Sequence, residues 1–245
     1  MGNRATLWRR ELAACFLSPV AYATLIVFLA VCNGTFCVAV LRNVGRPEPL
    51  TPLLIASIVL WLPVLITVIA MRLFAEEKRS GALEMLMTAP VTEAEVVLGK
   101  YAGALTFAML ILTPAIASIF VLARLSPGIT VADVDPGALA AGALIVFLLA
   151  AFFLAIGLVA SLTTRNQIVS AIVCFAAICL ALFLGWLMSM LPGMPRGLAD
   201  CVSATDHVED FSMGLVDARP VVLYVTATTF LLFVAVRLLE ARRWK

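Results

Sequence analysis

Charged side chains are scarce in this sequence. Asp, Glu, Lys and Arg make up 13% of the 245 residues, against about 25% in a typical soluble domain. Apolar residues make up 63% of the chain, and its mean hydropathy is +1.10. This composition excludes an ordinary soluble domain and indicates a protein with several membrane-spanning segments.

Disulfide and metal-binding patterns are also missing. None of the six cysteines forms a Cys-x-x-Cys pair and four lie inside apolar runs, so we interpret them as small packing residues. The only histidine, His207, lies amid Asp206, Glu209 and Asp210. One histidine among flexible carboxylates is a weak pattern for a metal site. We therefore expect a structural role for His207 and no bound metal.

A phosphate-binding loop is absent as well. The pattern Gly-x-x-x-x-Gly-Lys-[Ser/Thr] does not occur, because Gly99-Lys100 is followed by Tyr101 and Ala94 occupies the position of the first glycine. Such a loop is what cradles nucleotide phosphates. We therefore expect that this chain binds no cofactor and does not hydrolyse ATP itself.

Six apolar runs are long enough to cross the membrane as helices, which takes roughly 20 residues. Pro63 and Pro114 lie inside the second and third runs, where we expect kinks or locally broken helices. The predicted fold is an all-α polytopic membrane protein with six transmembrane helices. The predicted spans cover residues 19–41, 49–71, 101–123, 137–164, 166–191 and about 220–239.

Lys and Arg residues are distributed unevenly between the two sides that these spans define. If both termini face the cytoplasm, the inner segments carry twelve of them and the outer segments five. The positive-inside rule then predicts cytoplasmic termini. It also places residues 72–100 in the cytoplasm and residues 192–219 in the largest outer loop. The five outer residues are Arg42, Arg46, Arg124, Arg196 and Arg219.

Residues 1–18 precede the first span and include three arginines. Trp8, Leu12, Cys15 and Phe16 recur at the spacing of one helix face. This pattern predicts an amphipathic helix that lies in the interfacial region of the membrane.

The segment from Arg72 to Lys100 carries nine of the 32 charged residues, between two apolar runs. Charge is costly within hydrocarbon, so this segment is predicted to lie outside it. Leu83, Leu86 and Met87 form a narrow apolar stripe on a helix that continues from the second span and that Pro90 ends.

A second helix is predicted to follow in the same segment. Thr92 and Glu95 form a capping-box pattern, which predicts a helix start at about Glu93. This helix continues into the third span through Gly99 and Gly103, whose spacing permits close approach of another helix.

Residue identities in this segment carry a family resemblance. Residues 76–90 read Glu-Glu-Lys-Arg-Ser-Gly-Ala-Leu-Glu-Met-Leu-Met-Thr-Ala-Pro, and Gly99-Lys100 follows. This resembles the signature of ABC-2 type transporter permeases, with Ala82 where the family often has Thr. In that family the segment between spans two and three holds the coupling helix that docks on the ATPase. The positions that match the coupling element are Glu76, Glu77, Arg79, Gly81, Leu83, Glu84, Leu86 and Pro90.

The outer loop adds to the resemblance. Ser203 with Asp206 is a capping pattern and Gly214 a C-terminal cap, which together predict a short helix from about Ala204 to Met213. The pattern of this loop is similar to that of the GldF/NosY-like branch of the family, although Val208 replaces the usual Phe. The matching outer-loop residues are His207, Phe211, Gly214 and Asp217.

The resemblance implies a permease subunit in the bacterial cytoplasmic membrane, working with a separate ATPase that holds ATP and Mg. It also implies a second permease copy, as a homodimer, and a possible auxiliary GldG-like envelope protein. By this hypothesis Glu76, Glu77, Arg79 and Glu84 contact the ATPase. Leu83 and Leu86 would seat the helix. Membrane lipid is a further expected partner, and no nucleic acid is expected.

Parts of the sequence suggest two other classes of function. Glu76-Glu77 suggests an intramembrane protease, but Gly81 breaks the usual Glu-Glu-x-x-x-Arg pattern and no span contains histidine. The second alternative is an ATP-driven mechanical or assembly subunit of an envelope machine, of the gliding or copper-enzyme maturation type, which moves no free solute. The substrate is not evident from the sequence. The lack of Asp, Glu, Lys and His in the predicted spans favours a lipid-like, hydrophobic or peptide-linked cargo.

Overall fold

A computed structural model describes Leu12 and residues 19–43, 49–75, 92–125, 134–164, 166–190 and 201–243. These residues form seven α-helices and no strand. The helices are α1 (Pro19–Arg42), α2 (Leu50–Ala70), α3 (Glu93–Leu125), α4 (Pro136–Thr163), α5 (Gln167–Ser189), α6 (Ala204–Ser212) and α7 (Ala218–Arg243).

Six of these helices, all except α6, are long and apolar enough to cross a membrane. Each corresponds to one predicted span, so the expected all-α fold with six transmembrane helices is confirmed. The short helix α6 precedes the last span, as the capping pattern of residues 203–214 predicts.

Helix α4 lies at the centre of the molecule. It packs against α2, α3, α5, α6 and α7, whereas α1 contacts α2 and α3 at the periphery. The buried core is composed mainly of Leu, Ile, Val, Ala and Phe side chains. Because α4 contacts five other helices, any displacement of α4 affects most of the bundle.

Side-chain caps define where several helices begin. The Asp135 carboxylate accepts a hydrogen bond from Gly137 N at the start of α4, and Pro136 occupies the first helical position. The Asn166 side chain accepts from Ile168 N at the start of α5. Such caps satisfy backbone N–H groups that have no partner within the helix.

The helices α2 and α3 continue through Pro63 and Pro114 without interruption. Of the two alternatives expected at these prolines, a locally broken helix is therefore wrong, and a kink stays a prediction. Each proline removes one backbone hydrogen bond, which membrane helices tolerate where packing against neighbours supports the remaining turns. Pro63 is buried among its neighbours, and Pro114 is exposed.

The bundle has two ends, the Lys100 end and the His207 end. The Lys100 end holds the end of α2, the start of α3 and the end of α4, and the His207 end holds α6. The predicted interfacial helix of residues 1–18 lies outside the described residues except for Leu12, and so do residues 76–91.

Candidate coupling site

Ala75 and Thr92, the residues on either side of residues 76–91, both lie at the Lys100 end of the bundle. A turn over residues 71–74 follows α2, and Ala75 is the first helical residue after it. The chain returns at Thr92, directly before α3. The predicted coupling element, residues 72–100, is thus described at both of its ends, over residues 72–75 and 92–100.

A capping box fixes the return point. Glu95 N donates to Thr92 Oγ1 at 3.3 Å, and Thr92 N donates to the Glu95 carboxylate at 3.2 Å. This reciprocal pair is the one that the sequence predicts, and α3 begins at Glu93 as expected. The start of α3 is therefore set locally by two side chains.

The departure point is fixed by a residue from another helix. Ser161, near the end of α4, accepts hydrogen bonds at its Oγ from Phe74 N and from Ala75 N, both at 3.0 Å. All three residues are buried. Ser161 therefore does for this turn what an N-cap residue does within its own helix: it satisfies backbone N–H groups at a helix start.

Lys100 lies beside the same turn. Its Nζ is 5.3 Å from the centroid of the Phe74 ring, and only 4% of the residue is exposed. A cation at that distance from an aromatic face is attracted by the ring quadrupole, more strongly when it is removed from water. The start of α3 thus contacts the same turn that Ser161 holds from α4.

Tyr101 connects α3 to α4 a short way further into the bundle. Its hydroxyl donates to the backbone oxygen of Ala151 at 3.0 Å, and the side chain is buried. A tyrosine hydroxyl in an apolar interior usually finds such a partner. The three chain segments at the Lys100 end are thereby joined pairwise by specific contacts.

Gly99 and Gly103 are both buried within the chain on α3. Ala151 and Ala155, which have the same spacing on α4, are buried as well. These small residues allow close packing inside one chain, so their spacing is no argument for an interface between two copies.

The residues predicted to contact an ATPase all lie outside the described part of the chain. Their positions are therefore a prediction from sequence only. They are Glu76, Glu77, Arg79, Gly81, Leu83, Glu84, Leu86 and Pro90.

At the opposite end of the bundle, His207 is buried and lies 3.1 Å from the Tyr224 hydroxyl through its Nδ1. The two rings also meet edge to face, with centroids 5.8 Å apart. Asp206, Glu209 and Asp210 are exposed. In the described residues, no three His, Cys, Asp or Glu side chains are arranged to hold a metal ion.

The other residues of the outer-loop pattern shape the path from α6 to α7. Gly214 has a φ of +85°, and its N–H bonds Phe211 O while Leu215 N bonds Asp210 O, which ends α6 as predicted. Phe211 is fully buried. Asp217 accepts from Arg219 N at 3.1 Å and so caps α7.

Gly185 allows α5 and α6 to meet. A Cβ at this position would lie 2.3–2.7 Å from Cα, Cβ and N of Ser203, the residue that caps α6. Neither Gly185 nor Ser161, Tyr101 or Phe74 was identified from sequence. Each lies in or next to an apolar run, and only the partner residue from another helix shows what it does.

A groove of about 330 Å³ lies between α1 and α2, and its lining is almost entirely apolar. Trp61 and Phe28 contribute the largest side chains. The remaining lining residues are Ala23, Thr24, Val27, Val31, Val64, Leu65 and Val68. The groove is consistent with a surface that contacts hydrocarbon.

The chain matches the family model described as ABC-2 family transporter protein over residues 50–237, which is more than half of its length. It therefore belongs to the ABC-2 family of transporter proteins. With six helices long and apolar enough to cross a membrane, it is a multi-pass membrane protein. Membership makes it a membrane component of an ABC transporter, whose partner in general is an ABC ATPase. A comparison with curated protein sequences finds no match.

Proposed function

We propose that this chain is a non-catalytic permease subunit, and that a separate ATPase docks on residues 76–91. The observation that carries the proposal is the pair of anchors on either side of that segment. Ser161 holds Phe74 and Ala75, directly before it, against α4, and the Thr92–Glu95 box sets the start of α3 directly after it. A segment anchored at both ends to the bundle is suited to transmit force from a docked protein.

In this proposal, charged and apolar residues of the segment 76–91 have different roles at the ATPase. Glu76, Glu77, Arg79 and Glu84 contact the ATPase surface, and Leu86 seats the segment together with Leu83. Gly81 and Pro90 shape its path. The ATPase holds ATP and Mg, and its closure pulls on the Lys100 end and shifts the spans against each other.

The orientation follows from the charge distribution. The Lys100 end and both termini face the cytoplasm, because the segments on that side hold twelve of the seventeen Lys and Arg residues. The membrane is the cytoplasmic membrane of a bacterium, where the ATPase has access to ATP. The His207 end then faces outward.

Two copies of this chain form the membrane part of the transporter. The support is membership of the ABC-2 family together with the apolar faces that single copies leave exposed, among them Phe230 and Phe233 on α7 and Phe183 on α5. Native mass spectrometry of the purified complex is expected to give two copies of this chain per ATPase dimer. One copy, with no second permease, would refute the homodimer.

Membrane lipid is the partner of the remaining exposed apolar surface, including the groove between α1 and α2. The groove is lined by aliphatic and aromatic side chains with Thr24 as the only hydroxyl. Acyl chains carry no polar groups, so they can contact such a lining without losing hydrogen bonds. The same apolar character favours a hydrophobic, lipid-like or peptide-linked cargo over a small ion.

A second candidate is an ATP-driven mechanical or assembly subunit of the GldF/NosY-like branch, with a GldG-like envelope protein as auxiliary partner. The ordered outer segment favours it, because His207, Phe211 and Gly214 fix a compact helix at the His207 end where an envelope protein would bind. Genes for motility or copper-enzyme maturation beside the gene for this chain would support this role.

Co-purification tests the proposed function. The chain, produced with the ABC ATPase encoded beside it, is expected to form a stable complex in detergent, and its reconstitution in lipid vesicles is expected to change the ATPase rate at least twofold. If no ABC ATPase of the host binds the purified chain, the proposed function is wrong.

A further inference from the structure

A side chain that belongs to α4 accepts two hydrogen bonds from the turn between α2 and residues 76–91. Phe74 N and Ala75 N both donate to Ser161 Oγ at 3.0 Å, inside the protein. Backbone N–H groups at a helix start lack intrahelical partners, and burying them without an acceptor is costly. One hydroxyl therefore satisfies two buried donors at the point where the predicted coupling element begins.

The position of Ser161 is suited to pass movement of residues 76–91 on to the rest of the bundle. It is near the end of α4, and α4 packs against α2, α3, α5, α6 and α7. The start of α3 reaches the same turn through Lys100 and the Phe74 ring. The hydroxyl of Ser161 is therefore a direct contact between the residues that precede 76–91 and the central helix.

We propose that Ser161 is the positioning residue that transmits movement of the coupling segment to α4. It touches neither nucleotide nor cargo and acts through the two N–H groups of the turn. The inference rests on the proposed function, since it concerns how docking of an ATPase moves the spans. Without the hydroxyl, the segment stays docked on the ATPase and its movement is lost within a loosened turn.

The test uses the complex of the full chain with its ATPase in lipid vesicles. A nitroxide label is placed at Ala140, an exposed residue near the far end of α4, in a variant without native cysteines. Its spectrum is recorded before and after addition of ATP and vanadate. Binding of the ATPase and the rate of ATP hydrolysis are measured on the same samples.

With Ser161 present, the label spectrum is expected to change on addition of ATP and vanadate. Ser161→Ala is expected to abolish that change while ATPase binding and the rate of hydrolysis stay within twofold. Ser161→Thr keeps the hydroxyl and is expected to restore the change. Ser161→Val has the shape of Ser161→Thr without the hydroxyl. It is expected to lose the change and serves if the alanine variant does not fold.

Two control variants separate transmission from stability. Ser170→Ala removes another fully buried serine hydroxyl, for which the described residues offer no hydrogen-bond partner, and it is expected to leave the response intact. Gly185→Ala is expected to destabilise the His207 end of the bundle. It is expected to retain the response even if its melting temperature is as low as that of Ser161→Ala.

The outcomes distinguish the two claims. If the ATPase binds and Ser161→Ala still transmits the change to Ala140, the positioning role is wrong and the proposed function stands. An equal loss of the response in Gly185→Ala of matched stability also overturns the role. If the unmodified chain does not bind the ATPase, the proposed function fails and the role of Ser161 fails with it.

Discussion

Single residues without a distinctive sequence pattern determine how the helices of this protein meet. Ser161, Tyr101 and Gly185 lie within apolar runs, yet each forms a contact that joins two different helices. The relevant partner is distant in sequence, so no local spacing predicts it. The capping residues are different, because their partners lie two or three positions away.

Gly185 gives a prediction at this scale. A methyl group at position 185 would overlap the backbone of Ser203, and overpacking of this kind costs roughly 1–3 kcal/mol. Gly185→Ala is therefore expected to lower the midpoint of thermal unfolding, followed by circular dichroism in detergent. The close contact between α5 and α6 would cause this loss of stability.

The matched control is Gly34→Ala on α1, where nothing lies within 4 Å of the added Cβ. This variant is expected to be neutral or slightly stabilised, because alanine is the better helix former. Equal melting temperatures for the two variants would show that Gly185 and Ser203 are further apart than the 2.3–2.7 Å overlap requires.

At the scale of helices, the sequence predicts those features that depend on residues close together in the chain. The length and apolarity of the six spans, the Thr92–Glu95 box and the Ser203 and Gly214 caps are confirmed. Breaks at Pro63 and Pro114 are not observed, because packing of the whole helix outweighs the loss of one hydrogen bond. Which span becomes central is also not readable from sequence, since all six runs are similarly apolar.

The capping box gives a prediction at the scale of one helix. Thr92→Ala removes the acceptor for Glu95 N and is expected to cost about 1 kcal/mol of local stability. Backbone amides at residues 93–96 should then exchange with deuterium several-fold faster. Thr92→Ser keeps the hydroxyl and should exchange like the unmodified chain, whereas unchanged exchange in Thr92→Ala would mean that tertiary contacts hold this helix start.

At the scale of the whole molecule, the proposed orientation rests on the distribution of Lys and Arg residues. The structure indicates where to test it. His207 is buried and so is a poor reporter, but Leu215 is 63% exposed at the same end of the bundle, and Thr163 is exposed at the Lys100 end.

The expected labelling pattern follows directly. In a background without native cysteines, Leu215→Cys should react with a membrane-impermeant maleimide in spheroplasts. Thr163→Cys should react only after the membrane is permeabilised. The reverse pattern would invert the orientation and place residues 76–91 on the side without ATP.

The central claim is that an ATPase docks on residues 76–91, and Leu86→Asp tests it most directly. Leu86 lies on the predicted apolar stripe, so a carboxylate there would have to be desolvated against the ATPase. Loss of a buried apolar anchor typically costs about 2–4 kcal/mol, which corresponds to roughly one to three powers of ten in affinity. Leu215→Asp introduces the same change at the opposite end of the bundle, at an exposed position.

The measurement is the dissociation constant between the purified ATPase and the chain in lipid nanodiscs. Leu86→Asp is expected to weaken binding at least tenfold, with unchanged expression and melting temperature, and Leu215→Asp is expected to bind as the unmodified chain does. If Leu86→Asp binds with unchanged affinity, the ATPase does not dock on residues 76–91.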